Sequence, residues 1–299
     1  MLLLFAQPRG DAEARFLVVT ERSLGTMITY GYPEIELSDE LDLAIRIGAS
    51  LLEILPEWGR LPDPALVRRQ SADHGLSIHS AHGCWGARTI RAQRVDLGSL
   101  DPSTHRESID DLKCCVDWLA EAGGRYLVVH PGGLSLAEDR LERRKMLASG
   151  LWELGEHARG CGVIACVENM PPGVYPGSRM AELSELLREL DHPHLALALD
   201  TGHANLTASP AEETLAAGSL LATTHVHDNN GRQDSHEPPG HGSIDWPEWG
   251  RALDKIGYRG PILLECIRFL RHNPSSYKPD VVASLVGRIP VFPPVADRL

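Results

Sequence analysis

The sequence predicts an α/β fold, a single-domain (β/α)8 TIM barrel, and three observations carry that prediction. Eight short apolar runs alternate with longer amphipathic stretches along 299 residues, the rhythm of parallel strands joined by crossover helices. No Gly-rich dinucleotide fingerprint follows the first run, which argues against an open doubly wound sheet. No Ser/Gly linker or block of like charge divides the chain, and one large barrel accommodates this length.

Residues 1–20 precede the first run and read as an N-terminal extension, leaving residues 21–299 to the barrel domain. The strand candidates are 24–30, 50–55, 76–80, 126–130, 163–168, 195–200, 223–227 and 261–266. Each is short, mostly apolar and bounded by Gly, Pro or polar residues, as strands covered on both faces should be. Helices fill the gaps. Ile109, Leu112, Val116 and Leu119 share one helical face, and Gly123-Gly124 supplies the stop. Leu147, Leu151, Leu154 and Ala158 repeat the pattern before Gly160 and Gly162, as do Met180, Leu183, Leu187 and Leu190. Residues 80–101, with Gly83, Gly86 and Gly98, read as an elaborated loop after the third strand.

Composition removes several classes of function. Lys and Arg number 29 against 41 Asp and Glu, a net charge of −12, which is a poor match for a phosphate backbone. No apolar run approaches the ~20 residues that span a membrane. Leu2-Leu3-Leu4-Phe5 is too short for a signal-peptide core and lacks a basic flank. Six cysteines at 84, 114, 115, 161, 166 and 266 form no CxxC pair. They are read as reduced thiols that pack as small hydrophobes, and the expected compartment is cytoplasmic.

The placement of His, Asp and Glu is more informative. In a (β/α)8 barrel the C-terminal strand ends and their loops build the active site. Six runs deliver ionisable side chains there: His79 and His82; His130; Glu168; Asp200 and His203; His225, His227 and Asp228; and Glu265. One such His is more often structural than a ligand, and Asp200 before Thr-Gly-His also reads as a helix cap. A Glu ending an apolar strand, however, is costly unless paired, protonated or bound to a cation. Six converging ends point to a catalytic metal site. Its carboxylate and imidazole donors suit Mn²⁺, Mg²⁺, Co²⁺ or Zn²⁺ rather than a Cys-rich structural zinc cage.

Several ordered segments carry a resemblance: Ala81-His82, Val128-Val129-His130-Pro131-Gly132, Val167-Glu168-Asn169-Met170-Pro171 and Leu199-Asp200-Thr201-Gly202-His203. They continue through His225-Val226-His227-Asp228, Asp234-Ser235-His236, Pro239 to Trp246, and Leu264-Glu265. Over about residues 24–270 the chain resembles the xylose-isomerase-like barrel superfamily, which holds sugar isomerases and epimerases, inosose dehydratases and endonuclease IV.

The resemblance implies one or more divalent metal ions. In its epimerase branch the ligands would be Glu168, Asp200, His225 and Glu265. His225 is chosen over His227 because the family's ligand precedes an acidic residue by three positions, here Asp228. In its endonuclease branch further metals would use His82 and His130, and His203, Asp234 and His236. These positions are all filled, so the ligand inventory does not separate the branches.

The first functional reading is a metal-dependent isomerase or epimerase of a small sugar or related polyhydroxy carbonyl compound, working by enediolate-type proton transfer. Glu168 and Glu265 would be the acid–base pair, with Glu53, Asn169, His203, His227 and Arg232 around the substrate and Asn169 supporting Glu168. The alternative is an endonuclease-IV-like metal-dependent phosphodiesterase acting on abasic DNA. Against it stand the charge of −12 and the loop Gly83-Cys84-Trp85-Gly86-Ala87-Arg88, which departs from the endonuclease pattern. A third reading, metal binding without turnover, is a barrel that lost its catalysis. The expected partner is a small molecule, with no nucleic acid and no membrane, and the resemblance adds a homo-oligomer.

Overall fold

In the computed structural model, which describes residues 22–287, every strand is parallel to its neighbours. The order is β1 Leu24–Tyr30, α1 Leu37–Arg46, β2 Leu51–Pro56, α2 Pro64–Asp73, β3 Ser77–His82, α3 Pro102–Ala122 and β4 Tyr126–Val129. Then come α4 Arg140–Cys161, β5 Ile164–Glu168, α5 Met180–Leu190, β6 Leu195–Asp200, α6 Thr201–Thr207, α7 Pro210–Ala217 and β7 Leu221–His225. The described chain ends through α8 Trp246–Lys255, β8 Ile262–Leu264, α9 Ile267–His272 and α10 Pro279–Val286. The sheet runs β7-β6-β5-β4-β3-β2-β1-β8. It closes just past β7, where Val226 N–H donates to Leu263 O at 2.8 Å and Val226 O accepts from Glu265 N–H at 3.0 Å. The fold is the predicted (β/α)8 barrel. The expected extension over residues 1–20 lies outside the described residues.

Helix ends follow the local chemistry. Asp101 caps α3 by accepting from Thr104 N–H at 2.8 Å, Pro102 opens the helix, and Gly123 closes it at φ +83°. Gly160 lies inside α4 rather than beyond it, and Gly162 supplies the left-handed cap.

Several strand boundaries differ from the sequence pattern by one or two residues, and two of them shape the site. β3 runs on to His82 because a bulge interrupts its pairing with β2: Leu52 faces Ile78, but Glu53 faces Ser80. His79 is the extra residue. Its ring lies 4.7 Å from that of Tyr126 at the start of β4, toward the opposite end of the barrel from His82. Burial holds its pKa down at about 4. β7 stops at His225, two residues early, because Thr201 Oγ1 accepts from His227 N–H at 3.0 Å and donates to His227 O at 2.7 Å. The side chain replaces the ladder and releases the chain into the loop after β7.

The main core lies between strands and helices, with Leu52, Ile54, Leu112, Leu119, Leu127, Leu147 and Trp249 fully buried. Each such Leu contributes ~2 kcal/mol relative to exposure. Val128, Cys166, Ala196 and Ala198 form a smaller cluster. By strand alternation they share the inward parity of His130, Glu168 and Asp200, so they fill the barrel beneath those residues. All six cysteines are free thiols. No helix among the described residues is long and apolar enough to cross a membrane.

Candidate active site

The C-terminal ends of β5, β6, β7 and β8 bring Glu168, Asp200, His225 and Glu265 together. One ligand-type atom from each lies within 4.8 Å of all the others. His225 is the centre of the group. Its Nδ1 is 2.9 Å from Glu168 Oε1 and 3.0 Å from Glu265 Oε2, and its Nε2 is 2.7 Å from Glu53 Oε1. The His225, Glu53 and Asp200 side chains are fully enclosed, Glu168 is 1 % exposed and Glu265 is 16 % exposed.

Two further groups flank it. His82 and His130 reach Glu168 Oε2 with their Nε2 atoms at 3.7 and 3.1 Å. On the other side, Asp234 Oδ2 is 3.2 Å from Nε2 of both His203 and His236. His236 also joins His227 and Glu265 in a set of convergent donors, its ring stacked 3.9 Å from that of His227. The second nitrogen of most of these rings is anchored to backbone. His82 Nδ1 bonds Gly83 O at 2.9 Å, His203 Nδ1 bonds Asn169 O at 2.8 Å, and His236 Nδ1 bonds Glu265 O at 3.1 Å. Such anchoring fixes the tautomer and aims the free nitrogen, as in metal centres.

Of the residues expected around the substrate, Glu53 and Asn169 hold neighbouring site residues and Arg232 lies on an exposed loop. Glu53 lies under His225, where Oε1 takes the His225 ring and Oε2 accepts from Ser80 Oγ at 2.6 Å. Asn169 does not brace Glu168: it pairs with the backbone of Asp200, donating to its O at 3.0 Å and accepting from its N–H at 2.8 Å. Arg232 is exposed on the loop after β7, outside the converging groups. His227 is fully enclosed with Nε2 2.9 Å from Asp200 Oδ2. Gly202 makes that possible, because a Cβ there would overlap the His227 ring.

Asp228 is a residue whose own function the motif reading passed over. Its buried carboxylate accepts from Asn229, Gly240 and Ile244 N–H and from Trp246 Nε1, at 2.9, 2.9, 3.3 and 3.0 Å. It thereby organises the loop that carries Asp234 and His236. A buried strand-end Asp followed by Asn-Asn and a Gly-rich loop is the sequence signal for such a hub. Trp85 packs its ring 4.6 Å from His82 and forms one wall of the site.

The site fits divalent cations. Glu168 Oε2, Glu265 Oε2, His227 Nδ1 and Asp234 Oδ1 are buried without a hydrogen-bond partner, although three of these oxygens lie 3.0–3.8 Å from imidazole nitrogens outside bonding geometry. Orphaned acceptors at this density are costly without a positive partner. Charge follows the same logic. Burial opposes ionisation of Glu168, but His225 together with the neighbouring His130 and His82 imidazoles outweighs it and holds the carboxyl well below the usual range. Glu265 is likewise lowered, against burial, by His225 and His236. Burial disfavours charge on His203 and His236, yet Asp200 and Asp234 push the first, and Asp234 and Glu265 the second, up to about 10.

Comparison with known proteins agrees with this architecture. Residues 40–281 match the family described as xylose isomerase-like TIM barrel. The uncharacterized protein MJ1311 of Methanocaldococcus jannaschii is 31% identical over 191 residues, covering 59% of this chain and 63% of that protein. A D-psicose 3-epimerase of Enterocloster bolteae is 29% identical over 207 residues, covering 67% and 64%. The chain thus spans a little under two thirds of the length of these curated relatives. The crystal structure of a D-tagatose 3-epimerase-like protein superposes with a TM-score of 0.70 at 22% identity, covering 88% of this chain and 94% of that one.

Proposed function

We propose, from the premise that the chain belongs to the xylose isomerase-like TIM-barrel family, that it is a divalent-metal-dependent epimerase of a small ketose. The observation that carries this reading is the convergence of Glu168, Asp200, His225 and Glu265, joined to the likeness with a D-psicose 3-epimerase. A cation held by those four residues would polarise the substrate carbonyl and acidify the neighbouring C–H. Mn²⁺, Mg²⁺ or Co²⁺ suits this carboxylate-rich set, while the imidazole-rich flanks suit Zn²⁺.

Glu168 and Glu265 are the acid–base pair. Both are held in the ionised form, so each can accept a carbon-bound proton and return it from its own side. Glu265 is the more open of the two and Glu168 the deeper, and in this reading they would serve opposite faces of the substrate. Glu53 holds His225 from below, Asn169 holds Asp200 and His203, and Trp85 offers an apolar face to the sugar ring and keeps water out. His203, His227 and Arg232 remain the candidates for hydroxyl contacts.

Turnover of D-psicose, D-tagatose and related ketoses in D₂O tests this. Deuterium should enter the carbon beside the carbonyl, and chelator should abolish incorporation. Product formed by hydride movement between substrate carbons, with no solvent deuterium, would remove the two-glutamate pathway. The His82–His130–Glu168 and His203–Asp234–His236 groups favour a second reading, a multinuclear phosphodiesterase acting on abasic DNA. Rapid metal-dependent incision of an abasic duplex would put that reading first, and the charge of −12 predicts none.

A further inference from the structure

On the outer face of the barrel, α3 and α4 bring together three side chains that the active site does not use. Asp117 comes from α3, and His157 and Cys161 come from α4 one helical turn apart. Asp117 Oδ1 is 2.7 Å from His157 Nε2 and accepts from Cys161 Sγ at 3.4 Å, and the three donor atoms lie within 4.8 Å of one another. Both helices lead from here into the starts of the next strands, β4 and β5, so this cluster sits toward the end of the barrel opposite the Glu168–His225 group.

We propose that Asp117, His157 and Cys161 form a second, independent binding site for a single zinc-type divalent cation. Tetrahedral zinc with bonds of about 2.0–2.3 Å spaces its ligand atoms about 3.3–3.6 Å apart. The sulfur–oxygen separation already has that value. The nitrogen–oxygen pair needs to open by about 0.6 Å from hydrogen-bond length. One sulfur, one nitrogen and one oxygen donor select Zn²⁺ or Co²⁺ over Mg²⁺ or Ca²⁺.

The surroundings favour a cation. Cys161 is the last residue of α4, where the helix dipole is negative. Lys113, one turn before Asp117, is engaged with Glu153 at 2.5 Å, and Arg106 joins the same carboxylate. These two cations are thus committed to Glu153 rather than to Asp117. The Asp117 side chain is 58 % exposed, which leaves a fourth position to water. Binding sends the Cys161 thiol proton to solvent and involves no electron transfer. The bound ion staples the outer helices α3 and α4 at their shared end.

Cobalt separates this site from the barrel, since none of the barrel's converging groups contains a cysteine. The full-length protein, stripped with chelator and titrated with Co²⁺, should develop thiolate-to-cobalt absorption in the near ultraviolet. Cys161→Ser and His157→Ala should lose it. Cys114→Ser, whose thiol lies against Arg91 instead, should keep it. Zn²⁺ should displace the cobalt and slow alkylation of Cys161 by iodoacetamide about tenfold, read by peptide mass spectrometry. A stripped protein that gives no band, a band that survives Cys161→Ser, or a Cys161 that zinc leaves unprotected would each overturn the proposal.

Discussion

His225 Nε2 lies 2.7 Å from Glu53 Oε1, and both side chains are fully buried. The contact leaves Nδ1 directed at Glu168 and Glu265. In the proposed metal site Glu53 would be the outer partner that orients the His225 imidazole, and such partners are worth about 10–100-fold in affinity. Glu53→Gln retains a hydrogen-bond acceptor but loses the charge, so metal affinity should fall towards the lower end of that range. Competition against a chromophoric chelator measures it. An unchanged dissociation constant would show that Glu53 does not tune His225.

Under the proposed mechanism, replacing Glu265 with Gln would remove a ligand oxygen's charge and one acid–base group together. Activity on an accepted ketose should drop by more than about a hundredfold, the scale of a lost general base. Adding metal in excess distinguishes the two losses. Saturating metal should restore occupancy, by elemental analysis, without restoring deuterium exchange into substrate. Full recovery of exchange would limit Glu265 to holding the cation.

The acid–base balance of the metal-free site has a definite sign. His203 and His236 have pKa values raised to about 10, above the ~6.5 of an unfolded His. Their protonated pairs with Asp200, Asp234 and Glu265 therefore stabilise the metal-free fold fully below about pH 6.5, and that contribution disappears as pH rises through about 10. Chelated wild-type protein should lose thermal stability between pH 7 and 10 more steeply than chelated His236→Gln. Metal binding must expel the same protons, so uptake near neutrality should acidify an unbuffered solution and weaken as pH falls. Equal pH slopes for the two proteins would contradict the His236 assignment.

The barrel was legible because alternation of apolar runs with helical faces is a long-range pattern that survives small boundary errors. The strand-end residues were legible for the same reason: position at the C-terminal end of a barrel strand depends on topology, not on register. Register is what the pattern misses. His79 and His82 look equivalent in the sequence, yet the bulge opposite Leu52 and Glu53 sends only His82 into the site. Depth along the barrel axis is likewise absent from the sequence pattern, and it sets Glu53 under His225. Asn169 follows Glu168 in sequence but bonds the neighbouring strand, since adjacent residues point to opposite sides. The Asp117–His157–Cys161 cluster was invisible because it needs the relative rotation of two packed helices.

Asp228 supplies the sharpest test of how the loop after β7 supports the site. Its carboxylate receives four buried or half-buried donors, from Asn229, Gly240, Ile244 and Trp246. Gly242 passes so close that a Cβ there would overlap Asp228 Oδ1 and the Asn229 carbonyl. Asp228→Ala strands all four donors, and hydrogen bonds to a charged group are worth about 1.5–3 kcal/mol each before relaxation. Relaxation of the loop, together with water reaching the half-buried Gly240 end, offsets most of this and leaves a net loss of about 3 kcal/mol. For a domain of this size that corresponds to a fall in Tm of roughly 6–12 °C. Asp228→Asn keeps one oxygen acceptor but turns an NH₂ toward two of the donors, so it should fall between wild type and Asp228→Ala. The same loop carries Asp234 and His236, whose geometry depends on it, so both variants should lose metal affinity out of proportion to their loss of stability. Calorimetry with a metal titration, both below the variants' Tm, separates these effects. Metal affinity that stays at the wild-type value while Tm drops would make Asp228 a folding residue with no hold on the site.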